Sequence, residues 1–233
     1  MKEVAHSGGT AGYQTYLSRY PEKKLSVGAL CNGFPPSAGA VAHSVVDEIF
    51  GPWNFDSVHR HATLSDDQLK KFVGIWRNDV TRNTNMIALD KSELKMNGGT
   101  LTPLGETAFR LIDRTVQFKN GTPATATIAN ADGSITRLTM VSEWKPTAAD
   151  LSEFAGDWYS QEAQATFSLA VESDTAFLKQ RPSMKMPLQP IYKDHFAAQG
   201  FVVWVTRDAS GKIDKLHVGG SRMRDIYFDR VAR

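Results

Sequence analysis

Cysteine is almost missing: Cys31 stands alone among 233 residues. One thiol excludes an intrachain disulfide framework and any cysteine-rich zinc centre. A dominant charge sign is missing too. The 27 basic and 25 acidic side chains leave a net charge of +2, too little to argue for a nucleic-acid or anionic-membrane partner. The balance holds on either side of residues 58 and 146, so no segment is a basic arm. No apolar run approaches the roughly 18 residues of a membrane span. The start, Met1-Lys2-Glu3-Val4-Ala5-His6, lacks the apolar stretch of a signal peptide. His59-Arg60-His61 offers two imidazoles and no third ligand in view, so it reads as solvated linker. Neither a metal nor a cofactor is expected.

What is present supports folded domains. Apolar residues make up 41% of the chain, enough for ordinary buried cores. Glu3–His6 reads as a short strand leading into a Gly-rich turn, Ser7-Gly8-Gly9-Thr10-Ala11-Gly12. Tyr13–Tyr20 and Lys24–Cys31 read as strands of a hairpin around Pro21-Glu22-Lys23. After Pro35-Pro36, Ser37 is a plausible N-cap. Ala38, Val41, Ala42, Val45, Val46, Ile49 and Phe50 then follow helical spacing, leaving His43, Ser44, Asp47 and Glu48 outside. A few strands and one helix cannot cover both faces of their sheet. This segment needs a partner.

Beyond a linker lies a degenerate duplication. Leu69-x-x-Phe72-x-Gly74-x-Trp76 recurs 82 residues later as Leu151-x-x-Phe154-x-Gly156-x-Trp158. Ser65 and Thr147 are placed to cap a short helix in each copy, and Gln68 completes a capping box in the first. Leu101–Phe109 aligns with Leu188–Phe196, and Asn130–Leu138 with Asp208–Leu216. Each copy holds short apolar or alternating runs between turn signals. In the first they are Asn85–Leu89, Glu93–Met96, Thr115–Phe118, Ala126–Ala129 and Ile135–Val141. In the second they are Thr166–Val171, Ala176–Lys179, Phe201–Val205, Lys215–Val218 and Asp225–Phe228. Such spacing predicts antiparallel barrels of about eight strands, nearly filled by side chains. Trp76 and Trp158 are expected in the barrel cores.

The segment Val4-Ala5-His6-Ser7-Gly8-Gly9-Thr10-Ala11-Gly12-Tyr13 resembles the last active-site strand of the penicillin-recognising serine hydrolases. These include class C β-lactamases, penicillin-binding DD-peptidases, D-aminopeptidases and related esterases. Tyr20-Pro21-Glu22, Lys24-Leu25-Ser26-Val27, Leu30-Cys31-Asn32 and the helix after Ser37 continue the likeness, and the two repeats are similar to the lipocalin-like barrels of D-aminopeptidase-type members. The fold implied is mainly β. Residues 1–58 would be the C-terminal segment of an α+β catalytic domain, 59–146 a first barrel and 147–233 a second.

In that family a serine in Ser-x-x-Lys is acylated, a Tyr-x-Asn-type element assists proton transfer, and a Lys/His-Thr/Ser-Gly strand lines the substrate. His6-Ser7-Gly8 matches the last of these. The match implies that the Gly9 N–H supplies one oxyanion donor. No Tyr-x-Asn or Ser-x-Asn occurs in the chain. Ser92-Glu93-Leu94-Lys95 and Ser142-Glu143-Trp144-Lys145 match Ser-x-x-Lys but follow His6, whereas the family places its nucleophile earlier. Pro146 also disfavours helix at Lys145. Fifty-eight residues are too few for all three elements, so the sequence is expected to hold the end of such a domain and to be inactive alone. The missing N-terminal catalytic portion would be its partner, and a small acyl compound the substrate of the complete enzyme. Two other readings stay open: His6 as an ordinary polar strand residue, and the chain as a non-catalytic tandem-barrel binding module. Cys31 reads as a small hydrophobe, and Arg222 and Arg224 as surface ion-pair formers.

Overall fold

A computed structural model describes residues 1–33, 36–51, 62–112, 114–130, 134–181, 184–220 and 223–231. By compactness the chain divides into two units. One comprises residues 1–72, 89–120 and 126–137, and the other residues 73–88, 121–125 and 138–233. The linker imidazoles His59 and His61, the 58/59 boundary and Arg222 lie outside the described residues.

The first elements form a three-stranded antiparallel sheet in the order β1 (Val4–Thr10), β2 (Tyr13–Tyr20), β3 (Leu25–Cys31). The expected Gly-rich turn is corrected here. Ser7, Gly8 and Gly9 are strand residues paired with Tyr16, Thr15 and Gln14, and only Ala11 and Gly12 turn, with φ of 47° and 87°. Glycine at position 8 answers a close approach, since a Cβ there would lie 2.6 Å from Thr15 Oγ1. Helix α1 (Ala38–Phe50) starts at Ser37, whose side chain accepts a hydrogen bond from the Ala40 N–H. Its buried stripe is Ala38, Ala42 and Val46, packed on Tyr20, Val27 and Ala29.

The expected helix face is therefore narrower than its apolar spacing implied. Val45, Ile49 and Phe50 are exposed, whereas His43 turns toward the sheet. The stripe runs i, i+4 because Gly39 sits against the Tyr16 ring, 3.4 Å from where a Cβ would stand. That contact rotates Val45 and Ile49 away from the sheet.

Both repeats close into eight-stranded antiparallel barrels. The first is introduced by α2 (Asp66–Lys70), with its Ser65/Gln68 capping box. Its strands are β4 (Gly74–Asn78), β5 (Thr84–Asp90), β6 (Glu93–Met96), β7 (Gly99–Pro103), β8 (Ala108–Leu111), β9 (Arg114–Lys119), β10 (Thr125–Ala129) and β11 (Ile135–Val141). The second follows α3 (Ala148–Ser152), capped by Thr147 with Asp150 reaching back. Its strands are β12 (Gly156–Ser160), β13 (Ala165–Glu172), β14 (Thr175–Arg181), β15 (Met184–Tyr192), β16 (His195–Ala198), β17 (Phe201–Arg207), β18 (Ile213–Gly220) and β19 (Ile226–Arg230).

Trp76 and Trp158 are buried on the first strand of their barrels, as expected. Trp158 donates its indole N–H to the Phe154 carbonyl at 3.1 Å, tying the strand to the segment after α3. Alternating positions fill the second barrel: Leu169, Leu178, Leu188, Phe196, Val203, Val205, Leu216 and Phe228 all point inward. Trp144 packs edge-on against Phe196 at 5.7 Å, so the core of this barrel recruits a side chain from before residue 147.

Candidate functional site

The residues singled out by the motif lie together on β1. His6, Ser7, Gly8 and Gly9 are all exposed, and β1 hydrogen-bonds a neighbour on one side only among the described residues. An edge strand leaves alternate backbone N–H and C=O groups unpaired. The register places His6 beside Leu17 and Gly28 on one face of the sheet, and Ser7 beside Tyr16 and Ala29 on the other. Helix α1 covers the Ser7 face. The His6 face also carries Val4, Tyr13, Leu17 and Leu30, between 54% and 83% exposed.

Under the covered face lies a polar cluster that the sequence reading missed. The Glu3 carboxylate, on a residue 5% exposed, accepts hydrogen bonds from Tyr16 Oη and Tyr20 Oη, each at 3.0 Å. His43 Nε2 lies 3.1 Å from the same carboxylate, and the His43 ring meets Tyr16 edge-on. Burial pushes the Tyr20 phenol up to about 12, and the Glu3 carboxylate adds to the rise. A buried carboxylate is tolerated only with such donors around it. The cluster joins the foot of β1 to β2 and α1, and so fixes the strand that carries His6. The hairpin register was its one sequence signal. A turn at Ala11-Gly12 sets Val4 opposite Arg19 and carries Glu3 toward Tyr20.

Neither Ser-x-x-Lys match has the helical setting its chemistry needs. Ser92 sits at φ 63° in the tight turn between β5 and β6. Lys95 lies on β6 and is bonded to Glu93 and Thr100. Ser142 and Lys145 lie in the irregular connection after β11, where Lys145 faces Glu143. Cys31 is partly buried and packs against the α1 core. Arg224 is exposed. No three His, Cys, Asp or Glu side chains converge among the described residues.

A second cluster runs over the outer face of the second barrel. Tyr192, His195, Trp204 and His217 are successive cross-strand partners on β15, β16, β17 and β18. Their rings are stacked, 4.2 Å apart from Tyr192 to His195 and 5.1 Å from Trp204 to His217. Gly219 makes room for the Trp204 ring, which would lie 3.0 Å from a Cβ there. His217 is held by Asp225 at 2.7 Å and Thr206 at 3.1 Å. His195 is 1% exposed, and neither of its ring nitrogens has a hydrogen-bond partner among the described residues. Burial pulls its imidazole down to about 4, and the Arg82 and Arg77 charges act in the same direction. It is therefore neutral near pH 7, closed to substrate and unsuited to proton transfer. This ladder is packing.

The chain matches no protein-family model and no curated protein.

Proposed function

We propose that residues 1–58 are the C-terminal segment of a β-lactamase/D-aminopeptidase-type serine hydrolase domain, followed by two barrels. Such an enzyme cleaves an amide, β-lactam or ester through an acyl-serine, and its nucleophile comes from a part of the domain that this chain does not supply. One observation carries the reading. Among the described residues the strand bearing His6-Ser7-Gly8-Gly9 is an exposed edge, and the sheet face that holds His6 exposes the large side chains of Val4, Tyr13, Leu17 and Leu30. Large apolar side chains gathered on one sheet face are what a second packed layer buries. The outward Val45 and Ile49 of α1 add a second apolar surface of the same kind.

In this reading the nucleophile-bearing portion covers the Val4, Leu17 and Leu30 face, and an extended acyl substrate lies along the free edge of β1. The Gly9 N–H then gives one oxyanion donor, and the N–H of the nucleophilic serine gives the other. Glu3, Tyr16, Tyr20 and His43 hold the strand in place from behind and do not touch the substrate.

The test is hydrolysis of a chromogenic cephalosporin and of a short-chain nitrophenyl ester by the purified chain, with the DNA upstream of Met1 sequenced alongside. The expected result is no turnover, and an upstream frame encoding Ser-x-x-Lys and Tyr-x-Asn. Turnover that disappears with Ser92→Ala or Ser142→Ala overturns the proposal, and so does an in-frame stop close upstream. The stop would favour a non-catalytic binding module.

A further inference from the structure

The two ends of the second barrel differ. At one end, α3 and the segment after it bring Leu151 and Phe154 onto the core, where Phe154 meets Phe196 at 5.1 Å and Trp144 at 6.1 Å. Arg207 staples this end, donating to both carboxylate oxygens of Asp194 and to Glu153. The β12–β13 and β16–β17 turns lie at the opposite end, where no helix enters among the described residues. There the chain leaves a cavity of about 280 Å³.

Its wall is built from inward positions. Phe167 and Phe228 stack at 4.7 Å, Leu178 and Val218 form the floor with them, and Met186, Met223 and Ile226 stand around the opening. Phe201, on the rim, is 40% exposed. Ala163 and Ala165 keep the entrance wide by being small. Among the described residues no charged side chain lines the space, and Gln180 is its one polar side chain. Gln180 stands at the bulged end of β14, is exposed at the edge of the cavity, and makes no hydrogen bond to the described residues. An amide can donate and accept at once. Apolar walls with one placed polar group are how small-molecule sites are generally built.

We infer that the open mouth of the second barrel binds one small, uncharged aromatic molecule that carries a single hydroxyl or amide. The ring enters between Phe167, Phe228 and the two methionines, whose flexible thioethers adjust to it. The polar group meets Gln180 at the rim. A charged ligand is disfavoured because no charged group among the described lining residues offsets its desolvation. The site is independent of the hydrolase reading and stands or falls without it.

The experiment titrates the full chain with 1-naphthol, followed by probe fluorescence, with naphthalene as the ring that lacks a hydroxyl. Saturable one-site binding is expected. Ala165→Phe should abolish it while circular dichroism and melting stay unchanged. Gln180→Leu, at an exposed position, should weaken 1-naphthol about three- to tenfold and leave naphthalene unaffected. A second readout needs no variant: in methionine-methyl NMR spectra, the Met186 and Met223 signals should move on adding 1-naphthol while Met86 and Met96 stay still. Non-saturable binding, equal binding to a folded Ala165→Phe chain, or unmoved Met186 and Met223 signals would overturn the assignment. Equal losses for both probes with Gln180→Leu would overturn the role of the amide.

Discussion

His43 Nε2 lies 3.1 Å from the Glu3 carboxylate, although the two residues are 40 positions apart in the chain. One belongs to the helix and the other precedes the edge strand, so this contact, with the two tyrosine hydroxyls, sets how α1 rests on the sheet. The strand that presents His6 is therefore held by a buried polar group as well as by apolar packing.

Glu3→Ala removes the shared acceptor and leaves the buried Tyr20 hydroxyl unpaired. Leaving such a donor unsatisfied costs about 1–3 kcal/mol. Hydrogen exchange of the β1, β2 and α1 amides should accelerate, with barrel amides unchanged. Glu3→Gln keeps one acceptor and should lie between the variant and the parent. Uniform acceleration across the chain would contradict the assignment.

Gly8→Ala places a Cβ 2.6 Å from Thr15 Oγ1 unless the Thr15 side chain turns away. The β1–β2 hairpin should loosen, and Thr15→Ala in the same chain should restore it. Exchange rates of the hairpin amides in the single and double variants measure this directly. Failure of the second change to restore protection would mean that the register is wrong.

His195 makes barrel stability depend on pH. An imidazole in the unfolded chain titrates near 6.5, while burial holds His195 at about 4. Between these values the unfolded state takes up a proton that the folded state refuses. Stability therefore falls as pH drops from about 6.5 to about 4 and levels off below. The charges facing the ring are Arg77 and Arg82, and burial pushes the neighbouring Tyr192 phenol up to about 12, so it remains neutral throughout this range. The contribution is about 3 kcal/mol. His195→Phe, which keeps a ring between Tyr192 and Trp204, should flatten the acid limb of urea unfolding followed by tryptophan fluorescence. An unchanged limb would contradict the burial argument.

Trp158→Ala empties a fully buried indole site and frees the Phe154 carbonyl. Large-to-small changes of this kind cost about 3–5 kcal/mol. The melting transition of the second barrel should drop, and that of the first should hold. Equal loss in both barrels would show that the two unfold as one.

Much of the architecture was legible in the sequence, because the repeated Leu-x-x-Phe-x-Gly-x-Trp unit and its capping residues report local geometry. Five strands of each barrel could be read from apolar alternation, and the first strand of each, β4 and β12, from its Gly-x-Trp pair. The strands β7, β8, β15 and β16 could not. Thr102-Pro103 and the two prolines of β15, Pro187 and Pro190, look like loop, and only barrel closure keeps them in register. His195 and Trp204 were missed because they point outward, where alternation predicts solvent. The Glu3 cluster was missed because it depends on a register and a helix contact that spacing alone does not report. The His6 strand itself was found by its motif, and its edge position emerged only from the sheet order.

The central claim is that this chain lends a strand to an acyl-serine site whose nucleophile lies elsewhere. Intact-mass spectrometry after incubation with a penicillin tests it most directly. The chain would be measured alone and together with a D-aminopeptidase-type enzyme truncated before its His-x-Gly strand. The account expects no adduct on either piece alone, and in the mixture one penicilloyl adduct on the truncated enzyme. An adduct on the 233-residue chain by itself would contradict the account.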